Sequence, residues 1–153
     1  MNRNRRILIM ASVAMPLVPT AFAAQAQPFV EVWKSPTCGC CKDWIKHLEA
    51  NGFKVRTIEV PSTAPMRAKL GMPELYGSCH TAVVNGYVLE GHVPASDVRR
   101  LLAEKPRALG LAVPGMPVGS PGMDGPEYGG RKDAFDVLLI GKDGSATGYR
   151  SYN

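Results

Sequence analysis

Three cysteines fall within four residues, Cys38-Gly39-Cys40-Cys41, and a fourth, Cys79, is followed directly by His80. Thiolate sulfur is the form that binds soft metals and attacks disulfides, so this clustering points to metal ligation or to thiol–disulfide exchange. Cys38 and Cys41 keep the C-x-x-C spacing, which sets two sulfurs on one side of the first turn of a helix. Cys40 stands about 100° around that helix from Cys41, so their sulfurs are expected to point apart and to bridge several ions rather than chelate one. Thiolates beside imidazole are soft donors, which select Cu(I), Zn(II) or an iron–sulfur cluster. The spacing matches neither the spaced pairs of zinc ribbons nor common ferredoxin patterns, and multinuclear Cu(I) is the preferred occupant. An even cysteine count also allows two structural disulfides. Against that, three cysteines in four residues force at least one bridge to be local, where it cannot staple distant parts of a fold.

The N-terminus speaks for an oxidising compartment. Arg3, Arg5 and Arg6 precede an uncharged apolar run, Ile7 to Val18, and small-residue exits follow at Ala21-Phe22-Ala23 and Ala24-Gln25-Ala26. This is the layout of a cleavable secretory signal peptide over residues 1–26, and it predicts a periplasmic protein. A spanning helix needs roughly 20 apolar residues; this run is shorter and carries Pro16 and Pro19, so no stable membrane anchor is expected after cleavage. The Arg5-Arg6 pair also permits twin-arginine export. Cleavage removes three of the 18 basic residues, which stand against 13 acidic ones. The basicity is therefore largely a targeting feature, and no nucleic-acid partner is implied.

The cysteines need elements to hold them. Phe29 to Trp33 alternates as a strand, and Cys41 to Ala50 is helical, with Trp44, Ile45 and Leu48 on one face. Asn51-Gly52 stops that helix. Phe53 to Ile58 alternates again, and a short helix runs from Ser62 or Thr63 to Leu70. Thr81 to Val84 and Tyr87 to Glu90 flank Asn85-Gly86, a strong hairpin signal; Pro94 to Glu104 forms a further helix. The order β-α-β-α-β-β-α predicts an α/β fold, a thioredoxin-like mixed sheet flanked by helices, over residues 27–110. Residues 111–153 are expected to pack on the same domain, as a Gly/Pro/Met-rich loop from Leu111 to Gly130 and a terminal β-hairpin, Asp136 to Ile140 with Ala146 to Tyr149. In a thioredoxin-like fold the turn before the third strand faces the C-x-x-C helix. His80 takes the place of the cis-proline usual there, which brings Cys79 and His80 onto the cluster and sets His92 on the same rim.

Ser35-Pro36-Thr37-Cys38-Gly39-Cys40-Cys41 with Trp44, Ser78-Cys79-His80-Thr81-Ala82-Val83-Val84, Gly86-Tyr87, and Glu90-Gly91-His92-Val93-Pro94-Ala95 together resemble the CopG-type periplasmic copper-resistance family, long catalogued as a domain of unknown function. The resemblance runs from about Phe29 through Gly122. It implies a thioredoxin-like fold and a polynuclear copper site on Cys38, Cys40, Cys41 and Cys79, open to redox chemistry, with His80 and His92 as further candidate ligands.

Other residues admit a functional and a plain reading. Met116 and Met123, in the flexible loop, carry thioethers that could capture or relay Cu(I), or could simply cap the core; Met72 stands in the same position. His47 falls on the helix face away from Trp44 and is expected to be solvated. Trp33 and Trp44 are core aromatics. Asp43 suits the helix dipole, and Ser35, Asp97 and the histidines assemble no hydrolase triad. Three functions compete. The first is copper binding for resistance or homeostasis, with copper ions and other periplasmic copper-handling proteins as partners. The second is a thiol–disulfide oxidoreductase, against which stand the extra Cys40 and the missing cis-proline. The third is a zinc-stabilised interaction module.

Overall fold

The computed structural model describes residues 26–153, so the expected signal peptide lies, but for Ala26, outside the described residues. Strands β1 (Phe29–Lys34), β2 (Lys54–Glu59), β3 (His80–Val84), β4 (Tyr87–Glu90), β5 (Gly110–Ala112), β6 (Phe135–Ile140) and β7 (Ala146–Tyr152) form one sheet. Their spatial order is β2-β1-β3-β4-β5-β6-β7. β1 runs parallel to β2 and antiparallel to β3, and β3 is antiparallel to β4. Helices α1 (Gly39–Ala50), α2 (Ala64–Lys69) and α3 (Ala95–Glu104) connect these strands. The fold is thus mixed α/β with a helix-flanked sheet, as predicted, and the β2-β1-β3-β4 order is compatible with the thioredoxin-like reading. No helix among the described residues is long and apolar enough to cross a membrane.

The main core forms where period-2 and period-3.6 patterns meet. Val30 and Val32 alternate inward from β1, and Trp44, Ile45 and Leu48 line one face of α1. Ala82, Val84, Leu89, Val98, Leu101, Leu111 and Val137 close the same cluster. Each fully buried aliphatic side chain contributes on the order of 1.5–3 kcal/mol. Trp44 adds a polar anchor, its Nε1 donating to the Val93 carbonyl at 2.9 Å. Trp33, by contrast, is half-buried on the other side of β1 and lies outside the core. The β3–β4 turn uses Asn85 and Gly86 at φ 46° and 84°, the two positive values of a type I′ hairpin.

Three elements differ from the sequence reading. The loop expected from Leu111 is interrupted at once by β5, which straddles the 110/111 boundary. It pairs parallel with β4 and antiparallel with β6, carrying the sheet into the terminal hairpin. A Cβ at Gly110 would collide with the Val88 backbone, so glycine permits this close pairing. A single turn of 3-10 helix, Pro126–Tyr128, also sits inside the expected loop. Helix α1 begins at Gly39 rather than Cys41, so Cys38 becomes its N-cap residue and Cys40 and Cys41 fall in its first turn.

Candidate metal centre

The sulfurs of Cys38, Cys40, Cys41 and Cys79 all lie within 4.8 Å of one another. Cys38 and Cys41 are joined by a disulfide, the local bridge that C-x-x-C spacing permits, while Cys40 and Cys79 are free. Cys40 Sγ stands 3.5 Å from Cys38 Sγ and 3.9 Å from Cys79 Sγ. The helical offset between Cys40 and Cys41 therefore does not part their sulfurs as expected, because the Cys38–Cys41 bridge and Cys79 gather around the same end of α1. Cys41 is fully buried, whereas Cys38, Cys40 and Cys79 keep partial access to solvent.

Cys79 also belongs to a second group, with His80 and His92, whose ligand atoms again lie within 4.8 Å of one another. Its Sγ is 3.3 Å from His80 Nδ1 and 3.1 Å from His92 Nε2. His92 follows β4, and its Nδ1 lies 2.8 Å from the Pro121 carbonyl. A carbonyl can only accept, so the proton sits on Nδ1 and the Nε2 lone pair faces Cys79; such an orienting partner is characteristic of ligating histidines. His80 opens β3 opposite Lys34. It is fully buried, its ring 4.2 Å from Trp44 and 5.1 Å from His92. His80 Nε2 is buried without a hydrogen-bond partner, a deficit that costs on the order of 1–3 kcal/mol.

The electrostatics keep these groups neutral. Burial pushes the Cys79 thiol up to about 12, reinforced by Cys40 beside it. Burial holds His80 well below its ordinary value, with His92 and Lys34 acting in the same direction, and burial lowers His92 as well. A neutral imidazole has a lone pair to give, and a bound cation draws the proton from a coordinating thiol. Soft sulfur and two neutral imidazoles form a donor set that fits a soft metal ion.

The glycine-rich loop proves to be part of this construction. Gly122, at φ 86°, lies so close to α1 that a Cβ would stand 2.6 Å from the Cys40 carbonyl and 2.7 Å from the Trp44 nitrogen. That contact seats Pro121 over His92. Met116 is exposed in the loop. Met123 is buried, its Sδ accepting the Tyr128 hydroxyl at 3.2 Å, so of its two readings the buried, capping one fits its place. Met72 packs with Val88, Ala112 and Ile140 in a second apolar cluster, which makes it a core residue. His47 is corrected too: it is half-buried, and its Nε2 accepts from the Ala95 nitrogen at 3.1 Å, capping α3, whose N-cap Pro94 has no side-chain donor or acceptor. Periodicity placed His47 off the main core face but could not reveal the end of α3 above it. The sequence reading also missed Pro121, since no side-chain pattern announces a backbone carbonyl as an orienting group.

Residues 76–123, the stretch carrying Cys79, His80, His92 and the loop, match the family described as "Protein of unknown function, DUF411". No curated protein matches. The solved structure "Copper resistance protein copG- Form 2" is 46% identical, with a TM-score of 0.77, over 83% of this chain and 99% of that one. "Copper resistance protein copG- Form 1" is 47% identical, with a TM-score of 0.76, over 82% and 98%. Identity at that level across nearly the whole length of those structures places this chain in the CopG family of copper-resistance proteins.

Proposed function

We propose that this protein binds copper in the periplasm for copper resistance, and that once the Cys38–Cys41 disulfide is reduced it holds several Cu(I) ions on Cys38, Cys40, Cys41 and Cys79 with His80 and His92 at one side. The observation that carries this reading is the shared position of Cys79, whose sulfur belongs both to the four-sulfur group and to the sulfur–imidazole group. One sulfur common to two ligand sets is suited to bridging ions. Exposed Met116 offers a thioether that copper can reach from solvent, whereas Met123 is buried and its Sδ already accepts from the Tyr128 hydroxyl.

The Cys38–Cys41 disulfide supports a redox component. Its reduction takes two electrons and two protons and yields two thiols. In reverse, two thiolates becoming a disulfide release two electrons, the number that reduces two Cu(II) to two Cu(I). The same disulfide favours the second reading, a thiol–disulfide oxidoreductase, in which Cys38 or Cys41 attacks a substrate disulfide and its partner resolves the mixed intermediate. Cys40 has no part in that exchange.

A titration of the anaerobically reduced mature chain against a competing Cu(I) chelator tests the copper reading. Saturation above one Cu(I) per chain is expected; saturation at one ion, or none, overturns the cluster.

A further inference from the structure

Ser78, the residue before Cys79, is held by both of its backbone polar groups. Its N–H donates to Glu90 Oε1 at 2.8 Å, and its carbonyl accepts from Arg67 Nη2 at 2.8 Å. Arg67 Nε donates to the same Glu90 oxygen at 2.9 Å, and Glu90 Oε2 accepts from Thr81 Oγ1 at 2.7 Å. One carboxylate thus spans residues 78 to 81, with Cys79 and His80 between its two attachments. Arg67 reaches in from α2 and is tied further to Glu74 Oε1 at 2.8 Å and Thr63 Oγ1 at 3.1 Å. Glu90 is fully buried and Arg67 is 4% exposed. Gly77 makes room for the guanidinium, since a Cβ there would stand 2.9 Å from Arg67 Nη1.

A buried ion pair is a weak device for stability, because apolar residues of similar volume often serve as well or better. What an apolar pair cannot do is direct hydrogen bonds at a backbone N–H and C=O. We propose that Arg67 and Glu90 are positioning residues that clamp the Ser78–Thr81 turn and so set the Cys79 sulfur against Cys40 and His92. The metal-binding part of this inference rests on the copper reading above; the geometric part does not.

The test uses the double variant Arg67→Met/Glu90→Leu, which keeps volume and removes the directed bonds. Ser78 is partly exposed, so water can satisfy its freed backbone groups. In metal-free protein with the Cys38–Cys41 bridge intact, Cys40 and Cys79 are the two free thiols, 3.9 Å apart. Dibromobimane, which becomes fluorescent on bridging two neighbouring thiols, reads that distance. In the folded variant, which loses some stability because the buried Thr81 hydroxyl is left without Glu90, the bridging rate is expected to fall several-fold. Where the unsubstituted chain binds Cu(I), affinity is expected to fall about 10–100-fold, as for other outer-shell partners. Wild-type bridging and wild-type affinity in the folded variant overturn the proposal. Lost bridging in protein whose parent binds no copper keeps the clamp and removes the metal reading. If the double variant does not fold, Arg67→Lys decides: it retains the charge beside Glu90, but one ammonium cannot reach Glu90, Glu74 and Ser78 in Arg67's fork geometry. Slower bridging then supports the clamp, and wild-type bridging overturns it.

Discussion

The two halves of the candidate centre are built by opposite means. Cys38, Cys40 and Cys41 come from one N-cap and one helical turn, and their spacing follows from the helix itself. Cys79, His80 and His92 come from the two ends of a hairpin. They are held by the ion pair between Arg67 of α2 and Glu90 of β4, by the Lys34–His80 register and by a carbonyl from a loop some 30 residues further on. The local half needs little more than α1 to exist. The assembled half exists only when the whole sheet and its loop are in place, and Cys79 is the sulfur that joins the two. Chemistry divides along the same line. The helix end offers sulfur alone and can close on itself as a disulfide, whereas the assembled half mixes sulfur with neutral imidazole and cannot.

The largest effect should come from cutting the link. Cys79→Ser removes the donor common to both groups, so Cu(I) stoichiometry should drop and affinity should fall by more than the roughly 100-fold that outer-shell losses reach. Competition titration measures this, and unchanged stoichiometry would mean that the halves act separately. Next is Cys40→Ser. In a copper cluster it should impair copper binding and host copper tolerance as severely as Cys38→Ser, while leaving the Cys38–Cys41 bridge able to form. Full copper binding by Cys40→Ser, combined with dithiol turnover abolished in Cys38→Ser and Cys41→Ser, would instead establish the exchange enzyme.

A smaller effect should separate the halves without touching a donor. Gly122→Ala forces a Cβ against the Cys40 carbonyl at a left-handed backbone position and should cost about 1–3 kcal/mol of stability. It should also loosen His92 by moving Pro121. The Cys38–Cys41 bridge should still form, as judged by thiol titration, and its loss would show that the loop serves the helix end as well.

The smallest expected effect concerns His47, which joins α1 to α3 outside either half. Burial lowers its folded-state value from the ordinary 6.5, with Asp124 opposing. The unfolded chain therefore binds the proton more readily. The stability that depends on neutral His47 is complete above about pH 6.5 and declines as pH falls through that value. Denaturant unfolding of metal-free protein from pH 7.5 to 5 should show this decline, and His47→Gln, which still offers an acceptor to Ala95 N–H, should reduce its slope, the remainder belonging to buried His80 and His92. An equal slope in both proteins would assign the pH dependence elsewhere.

Legibility in the sequence follows the same division. Val30 and Val32, the Trp44-Ile45-Leu48 face and the Asn85-Gly86 turn were readable because each is a short-range pattern whose period or dihedral demand is local. The sequence suggests a start for α1 at Cys41, two residues after the actual one, since cysteine is not among the residues that usually announce an N-cap. β5 is not legible as a strand because three residues including a glycine have no strand preference of their own; Gly110, Leu111 and Ala112 become a strand by being paired on both sides.

By itself the sequence determined which donors the protein owns, their softness, and that three of them share one helix end, because residue type and helical spacing are properties of the chain. It also implied, through element order, that Cys79 would come to the same place. Only the tertiary structure decided that His92 presents Nε2 to that sulfur, that Met72 and Met123 are buried, and that Ser78 is clamped by Arg67 and Glu90. Those outcomes depend on where a carbonyl, a carboxylate or a guanidinium from a distant segment comes to rest, and a hydrogen bond between remote parts of a chain leaves no periodicity along it.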